Sequence, residues 1–237
     1  MAKHIGIVAC SAEGAALCYR TLCKEAPALM GGHRHPEISM HAQSLADYML
    51  HVANGNWNEV AKLMVASARK LASMGAQFVI CPDNTIHQAF DLAVGRSPVP
   101  WLHIADAVGR TAAADKIRSL AILGSRFLMN GPVYPSALGR FGIACRIPEL
   151  ADRERIDRII FEELVNGIRS DESRRYFKAL VQKLKGYGCE GVVLGCTELP
   201  LLVDPEDCPL PTFDSTRLLA RAALLESMNE EVVLKSG

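Results

Sequence analysis

Short apolar runs that end in small or polar turn residues alternate along this chain with longer amphipathic stretches, and no other feature narrows the fold as much. His4–Ala9 (HIGIVA), Phe78–Cys81 (FVIC), Leu120–Leu123 (LAIL) and Val192–Leu194 read as buried strands. Ala15–Glu25, Asn58–Met74 and residues 153–187 read as helices. The second closes at Gly75 and the third at Gly188, where the left-handed backbone that ends a helix favours glycine. Strands separated by helices predict an α/β fold with open, doubly wound parallel sheets. Ligands of such sheets bind beyond the carboxyl ends of the strands.

The layout repeats once. Cys10-Ser11 follows the first strand and Gly124-Ser125 follows LAIL 114 positions later. Asp83 lies 8 residues after Gly75, Cys196 lies 8 after Gly188, and the two are 113 apart. Val99-Pro100 and Leu210-Pro211 supply a third matched pair. These landmarks predict two pseudo-symmetric αβα halves, although any two α/β halves share some strand–turn–helix spacing. If the halves face each other about a pseudo-twofold axis, Asp83 and Cys196 occupy opposite walls of one cleft. That geometry suits removal of a proton from one face of a carbon and its return on the other.

Charge excludes several function classes. With 26 Lys+Arg against 26 Asp+Glu the 237-residue chain has no net charge, so it lacks a bulk electrostatic grip on nucleic acid or an anionic membrane. It contains no signal-peptide-like start and no apolar run near the roughly 20 residues of a membrane span. The expectation is a soluble, cytoplasmic protein whose 8 cysteines are reduced and mostly packing residues. His33, His35 and His41 lack the carboxylate or Cys spacing of a metal site, and no Gly-rich phosphate fingerprint implies a nucleotide cofactor.

The candidate chemistry lies at the strand ends. Cys196, in VVLGCTELPLL, could act as base or nucleophile as a thiolate, or simply fill a strand end. Asp83 would be a general acid or base, with Asn84 and Thr85 binding polar substrate groups, or these residues could bond their own turn. Ser11 and Ser125 read equally as helix N-caps and as contacts to a substrate amine or carboxylate. Asp214-Ser215-Thr216 reads as a cap opening a helix over Arg217–Ser227. One of Arg34, Arg126 and Arg169 could clamp a carboxylate.

At these residues the chain resembles the aspartate/glutamate racemase family, related to the glutamate and hydantoin racemases. The resemblance runs through IGIVACSAE, CPDNTIH at 81–87, LGSRFLM at 123–129, the SRRYFKAL helix, LGCTELPLL at 194–202 and PTFDSTRLLARAA. It implies two Rossmann-like halves, residues 1–112 with 211–237 returning to the first, and 113–210 as the second, with the active site between them. It also implies a homodimer without PLP or metal, acting on a small amino acid or related carboxylate. Cys196 matches the family's second cysteine, but Asp83 stands where the first is expected. Leu219 stands at an expected His, Leu128 at an expected Thr, and Ala9-Cys10-Ser11 replaces a Gly-Gly-Met-Ser turn.

The resulting expectation is a cofactor-independent amino acid racemase with Cys196 and Asp83 as the two acid/bases. Asn84, Thr85, Thr197 and Glu198 would join Ser11 and Ser125 around the substrate. The alternatives are a single-thiol decarboxylase or cis–trans isomerase, or a non-catalytic small-molecule-binding relative.

Overall fold

The computed structural model describes residues 2–229. The first half runs β1 (Ile5–Ala9), α1 (Ala12–Met30), β2 (Ile38–Ala42), α2 (Leu45–Ala53), α3 (Trp57–Ser73), β3 (Phe78–Ile80), a 3₁₀ turn (Thr85–Ala89), α4 (Phe90–Val94), β4 (Trp101–Leu102) and α5 (Ile104–Ala114). The second runs β5 (Ser119–Leu123), α6 (Arg126–Met129), α7 (Val133–Gly139), β6 (Ala144–Arg146), α8 (Leu150–Arg158), α9 (Asp171–Gly186), β7 (Gly191–Leu194) and β8 (Thr212–Asp214), followed by α10 (Ser215–Met228).

Every strand pair is parallel, and the two sheets share one topology: β2-β1-β3-β4 and β6-β5-β7-β8. Ile5 pairs with both Ile38 and Phe78, as Leu120 pairs with both Cys145 and Gly191. The inner strands β1, β3 and β7 are buried along their whole length, which is why their sequences run continuously apolar. The outer strands β2, β4, β6 and β8 escape the sequence reading because each has one neighbour and is short or half-exposed, as in ISMHA and ACR.

Residues 153–187 are not the single helix expected. Helix α8 passes into a π-helical segment, Ile159–Glu163, and a 3₁₀ turn, Leu164–Asn166. Gly167, at φ 76°, then reverses the backbone. A new helix begins where the Ser170 hydroxyl accepts from the Ser173 N–H. The cap competes with helical continuation, and apolar periodicity on both sides hides the break.

Each sheet is covered on both faces. In the first half, Val60, Met64, Ala68 and Leu71 of α3 pack on Val8 and Val79. On the opposite face, Cys18 and Leu22 of α1 join Leu219, Ala220, Ala223 and Leu224 of α10 over Ile5, Ile7, Phe78 and Ile80. In the second half, Phe177, Leu180, Val181 and Leu184 of α9 cover Val192 and Leu194. Helix α5 serves both sheets: Ile104 packs with the first, whereas Ala105, Val108 and Ala112 pack against Leu120, Ile122 and Phe213. The chain therefore passes from β8, in the second sheet, directly into a helix packed on the first. Arg221 donates from Nε and Nη2 to both Glu25 oxygens, at 2.7 and 2.9 Å, pinning α10 to α1 at the surface.

Buried hydrogen bonds join the halves above their sheets. The Tyr134 hydroxyl donates to Asn84 Oδ1 at 2.7 Å, Asn84 Nδ2 donates to Ser215 Oγ at 2.9 Å, and Ser215 Oγ donates to the Leu194 carbonyl at 3.1 Å. No helix among the described residues is long and apolar enough to cross a membrane.

Two substitutions test this construction by chemical denaturation. Phe177→Ala, which empties a fully buried site in the second core, will lower unfolding free energy by about 3–5 kcal/mol. Tyr134→Phe, which strands the Asn84 carbonyl without its donor, will cost about 1–3 kcal/mol.

Candidate active site

The carboxyl ends of β1, β3, β5 and β7 open onto one cavity of about 140 Å³. All eight residues singled out from the sequence, Ser11, Asp83, Asn84, Thr85, Ser125, Cys196, Thr197 and Glu198, line it. They converge because parallel strands of both sheets end there in turns, where polar side chains escape the sheet interior. Two glycines permit the close approach. A Cβ on Gly14 would lie 2.8 Å from Thr197 Cγ2, across the cleft, and one on Gly195 would lie 2.5 Å from Leu128 Cδ2.

Asp83 is held against its own half. Its Oδ2 accepts from the Cys10 N–H at 3.3 Å and the Ser11 N–H at 3.1 Å. Those bonds favour the carboxylate, but burial outweighs them, and with a small push from the negative Glu198 it raises the carboxyl from 3.8 to about 6. Asp83 is therefore mostly ionised at neutral pH.

Cys196 is half-buried, and its thiol donates to Glu198 Oε2 at 2.8 Å. Burial comes first in pushing this thiol well above its ordinary 9.0, followed by the negative charge and acceptor of Glu198 and then by Asp83. The thiol is therefore protonated at neutral pH. Glu198 also accepts from Thr197 Oγ1 at 2.8 Å and is buried.

The remaining expected residues divide by what they touch. The Asn84 side chain is engaged by Tyr134 and Ser215, so it braces the cleft, and its second amide hydrogen is left for a ligand. Thr85 Oγ1 meets Ser125 Oγ at 3.2 Å, one hydroxyl from each half. Ser11 and Ser125 both act as caps, accepting from the Gly14 and Leu128 N–H groups at 3.2 and 3.4 Å, while also lining the cavity. Asp214 caps α10 through the Arg217 N–H at 3.0 Å. Among the described residues, the backbone N–H groups of Asn84, Thr85 and Thr197 donate to no protein acceptor.

The structure adds lining residues that the sequence reading passed over. Leu45, Tyr48, Met49 and Val52 of α2 and Ile160 and Phe161 of the π-helical segment face the cavity. Their helical spacing reads as ordinary core, and only their position in the fold distinguishes them. Cys10 lines the cavity too, its thiol raised chiefly by burial, whereas Cys81 is enclosed in the first core. Arg34 and Arg169 are exposed and do not line it, and no Lys, Arg or His does among the described residues. His41 points elsewhere, to Ser67 Oγ and Lys70 Nζ, each at 3.0 Å.

Glu198→Gln removes the negative charge beside the thiol, so the Cys196 pKa will fall. The check is the pH dependence of iodoacetamide alkylation at Cys196, whose midpoint will move to lower pH than in the native protein.

This arrangement has relatives. A sequence model of the Asp/Glu/hydantoin racemase family matches residues 5–223. The broad specificity amino-acid racemase RacX of Bacillus subtilis is 22% identical over 170 residues, 70% of this chain and 72% of that protein. A crystal structure of a candidate Asp/Glu racemase from Yersinia pestis superposes with a TM-score of 0.89 at 32% identity, covering 96% of this chain and all (100%) of the other. An aspartate racemase homologue from Pyrococcus horikoshii gives a TM-score of 0.85 at 26% identity, covering 97% and 100% of the two chains. With the family pattern spanning nearly the whole chain and both sheets superposed on family structures, the chain belongs to the Asp/Glu/hydantoin racemase family.

Proposed function

We propose that this protein is a cofactor-independent amino acid racemase in which Asp83 and Cys196 exchange protons with opposite faces of the substrate Cα. The observation that carries this reading is that the two groups line one cavity from different halves and rest in complementary protonation states. Asp83, with its carboxyl at about 6, is a ready base at neutral pH, and Cys196, raised well above 9.0, is a ready acid.

Turnover then begins with a carboxylate and a thiol. Asp83 takes the Cα proton from one face, leaving a carbanion whose charge spreads into the substrate carboxylate. The unpaired N–H groups of Asn84, Thr85 and Thr197 would hold that carboxylate and stabilise the developing enolate. Cys196 delivers its proton to the opposite face, so one C–H bond breaks, one forms, and the enzyme is left as Asp83–COOH with a Cys196 thiolate. Because Asp83 is the stronger acid of the two and the Cys196 thiol the weaker, proton return to the starting form is favourable. The equilibrium constant of a racemisation is one, so kcat/KM is equal for the two enantiomers. The asymmetry of the pair shows only in kcat and KM taken separately.

The test is proton NMR in deuterated water with a panel of D- and L-amino acids and no added PLP. The native protein will replace the Cα proton of its substrate and invert it, while Cys196→Ala and Asp83→Asn will each lower the rate by about 10²–10⁴-fold. Exchange without inversion would mean that one face alone is served, and no exchange with any amino acid would defeat the reading.

The pH dependence follows from the direction of the Asp83 shift. Protonated Asp83 cannot accept a proton, so kcat/KM will be low in acid and rise through about pH 6 as the carboxyl ionises. A pH–rate profile of the native enzyme will show this limb.

A further inference from the structure

Resting on that proton-transfer reading, we infer that the substrate carries an uncharged, apolar side chain of the leucine, methionine or phenylalanine class, and that aspartate and glutamate are excluded. The cavity has two chemically distinct walls. The strand ends present the polar groups already described, while α2 presents Leu45, Met49 and Val52 at helical spacing. Phe127, Ile160 and Phe161 continue this apolar surface from the second half.

Two of these side chains are large and exposed: Leu45 is 46% exposed and Phe161 44% exposed. Apolar surface left uncovered beside a concave polar site is what an apolar ligand group buries on binding. Phe161 lies in the π-helical segment, a rare backbone form that occurs often at functional sites.

Charge points the same way. The charged residues lining the cavity are Asp83 and Glu198, both acidic. The arginine nearest the apolar wall in sequence, Arg126, is 64% exposed, sits over the Phe127 ring at 5.0 Å and is drawn to Asp157 at 3.8 Å. An acidic amino acid would bring two carboxylates beside two more, with no cation to receive the second. A substrate with an apolar side chain brings a zwitterionic head of zero net charge, whose ammonium group is attracted by the acids already present. Its side chain meets the wall that water covers least well.

The experiment compares leucine, methionine and phenylalanine with aspartate and glutamate, each as both enantiomers, by Cα exchange and by titration calorimetry on the intact protein. We expect kcat/KM at least about 100-fold higher for the best apolar substrate than for either acidic one. Aspartate or glutamate matching it would overturn the inference and leave the proton-transfer reading intact. Calorimetric binding of apolar amino acids in preference to acidic ones, with no exchange, would uphold the inference and defeat that reading. No binding and no exchange with any apolar amino acid would overturn the inference.

Leu45→Arg and Phe161→Arg place a cation on the open part of the apolar wall, where the side chain is exposed enough for the fold to tolerate it. Each is expected to shift the glutamate-to-leucine ratio of binding or turnover toward glutamate by about tenfold or more. An unmoved ratio in both folded variants would show that the side chain lies elsewhere and overturn the inference.

Discussion

Tyr134 donates to the Asn84 amide, Asn84 donates to Ser215, and Ser215 donates to the carbonyl of Leu194, so one buried chain of hydrogen bonds spans both halves of the molecule. Asn84 adjoins Asp83 in sequence, and Leu194 lies two residues before Cys196. The candidate acid and base are thus referenced to each other through three hydrogen-bonded side chains. A network of this kind is strong when complete and costly when one member is missing, which makes it a better ruler than apolar contact alone. Thr85 and Ser125 add a shorter tie across the same gap.

Within that frame, burial does most of the electrostatic work. It lifts both Asp83 and Cys196, yet its consequences for the two differ. The carboxyl rises only to about 6 because two backbone N–H groups counter its desolvation. The thiol rises well above 9.0 because the neighbouring Glu198 adds to its desolvation. Two candidate acid/bases in pseudo-equivalent positions thereby become unlike in rest state, an outcome that identical residues in a symmetric site could not produce so simply.

The inner strands and strand-end turns were legible in the sequence because both are local. A buried parallel strand must be apolar throughout, and a turn must use residues such as Asp83-Asn84 or Gly195-Cys196. The role of Asn84 was not legible, because its partners lie 50 and 131 residues away. The apolar wall of the cavity was hidden for another reason. Leu45, Met49 and Val52 have the spacing of any core-facing helix, and whether such a stripe meets a core or a cavity is decided by the rest of the fold. Periodicity likewise carried the expected helix straight through Gly167, because the segments on either side are each helical in their apolar spacing and the break between them is a single local turn.

The placement of α10 has a consequence for how the protein is made. The apolar face formed by Ile5, Ile7, Cys18 and Leu22 is sealed by Leu219, Ala220, Ala223 and Leu224, more than 190 residues later in the chain. During synthesis the first sheet emerges early with one side only partly covered by α1, and it waits for the second half to be translated before its own core can close. The second sheet, by contrast, receives β8 and its covering helix α9 from neighbouring sequence. Although the halves look alike, their maturation is ordered. Helix α10 completes the first half to have been made, and the nascent chain must keep that face from aggregating until it arrives.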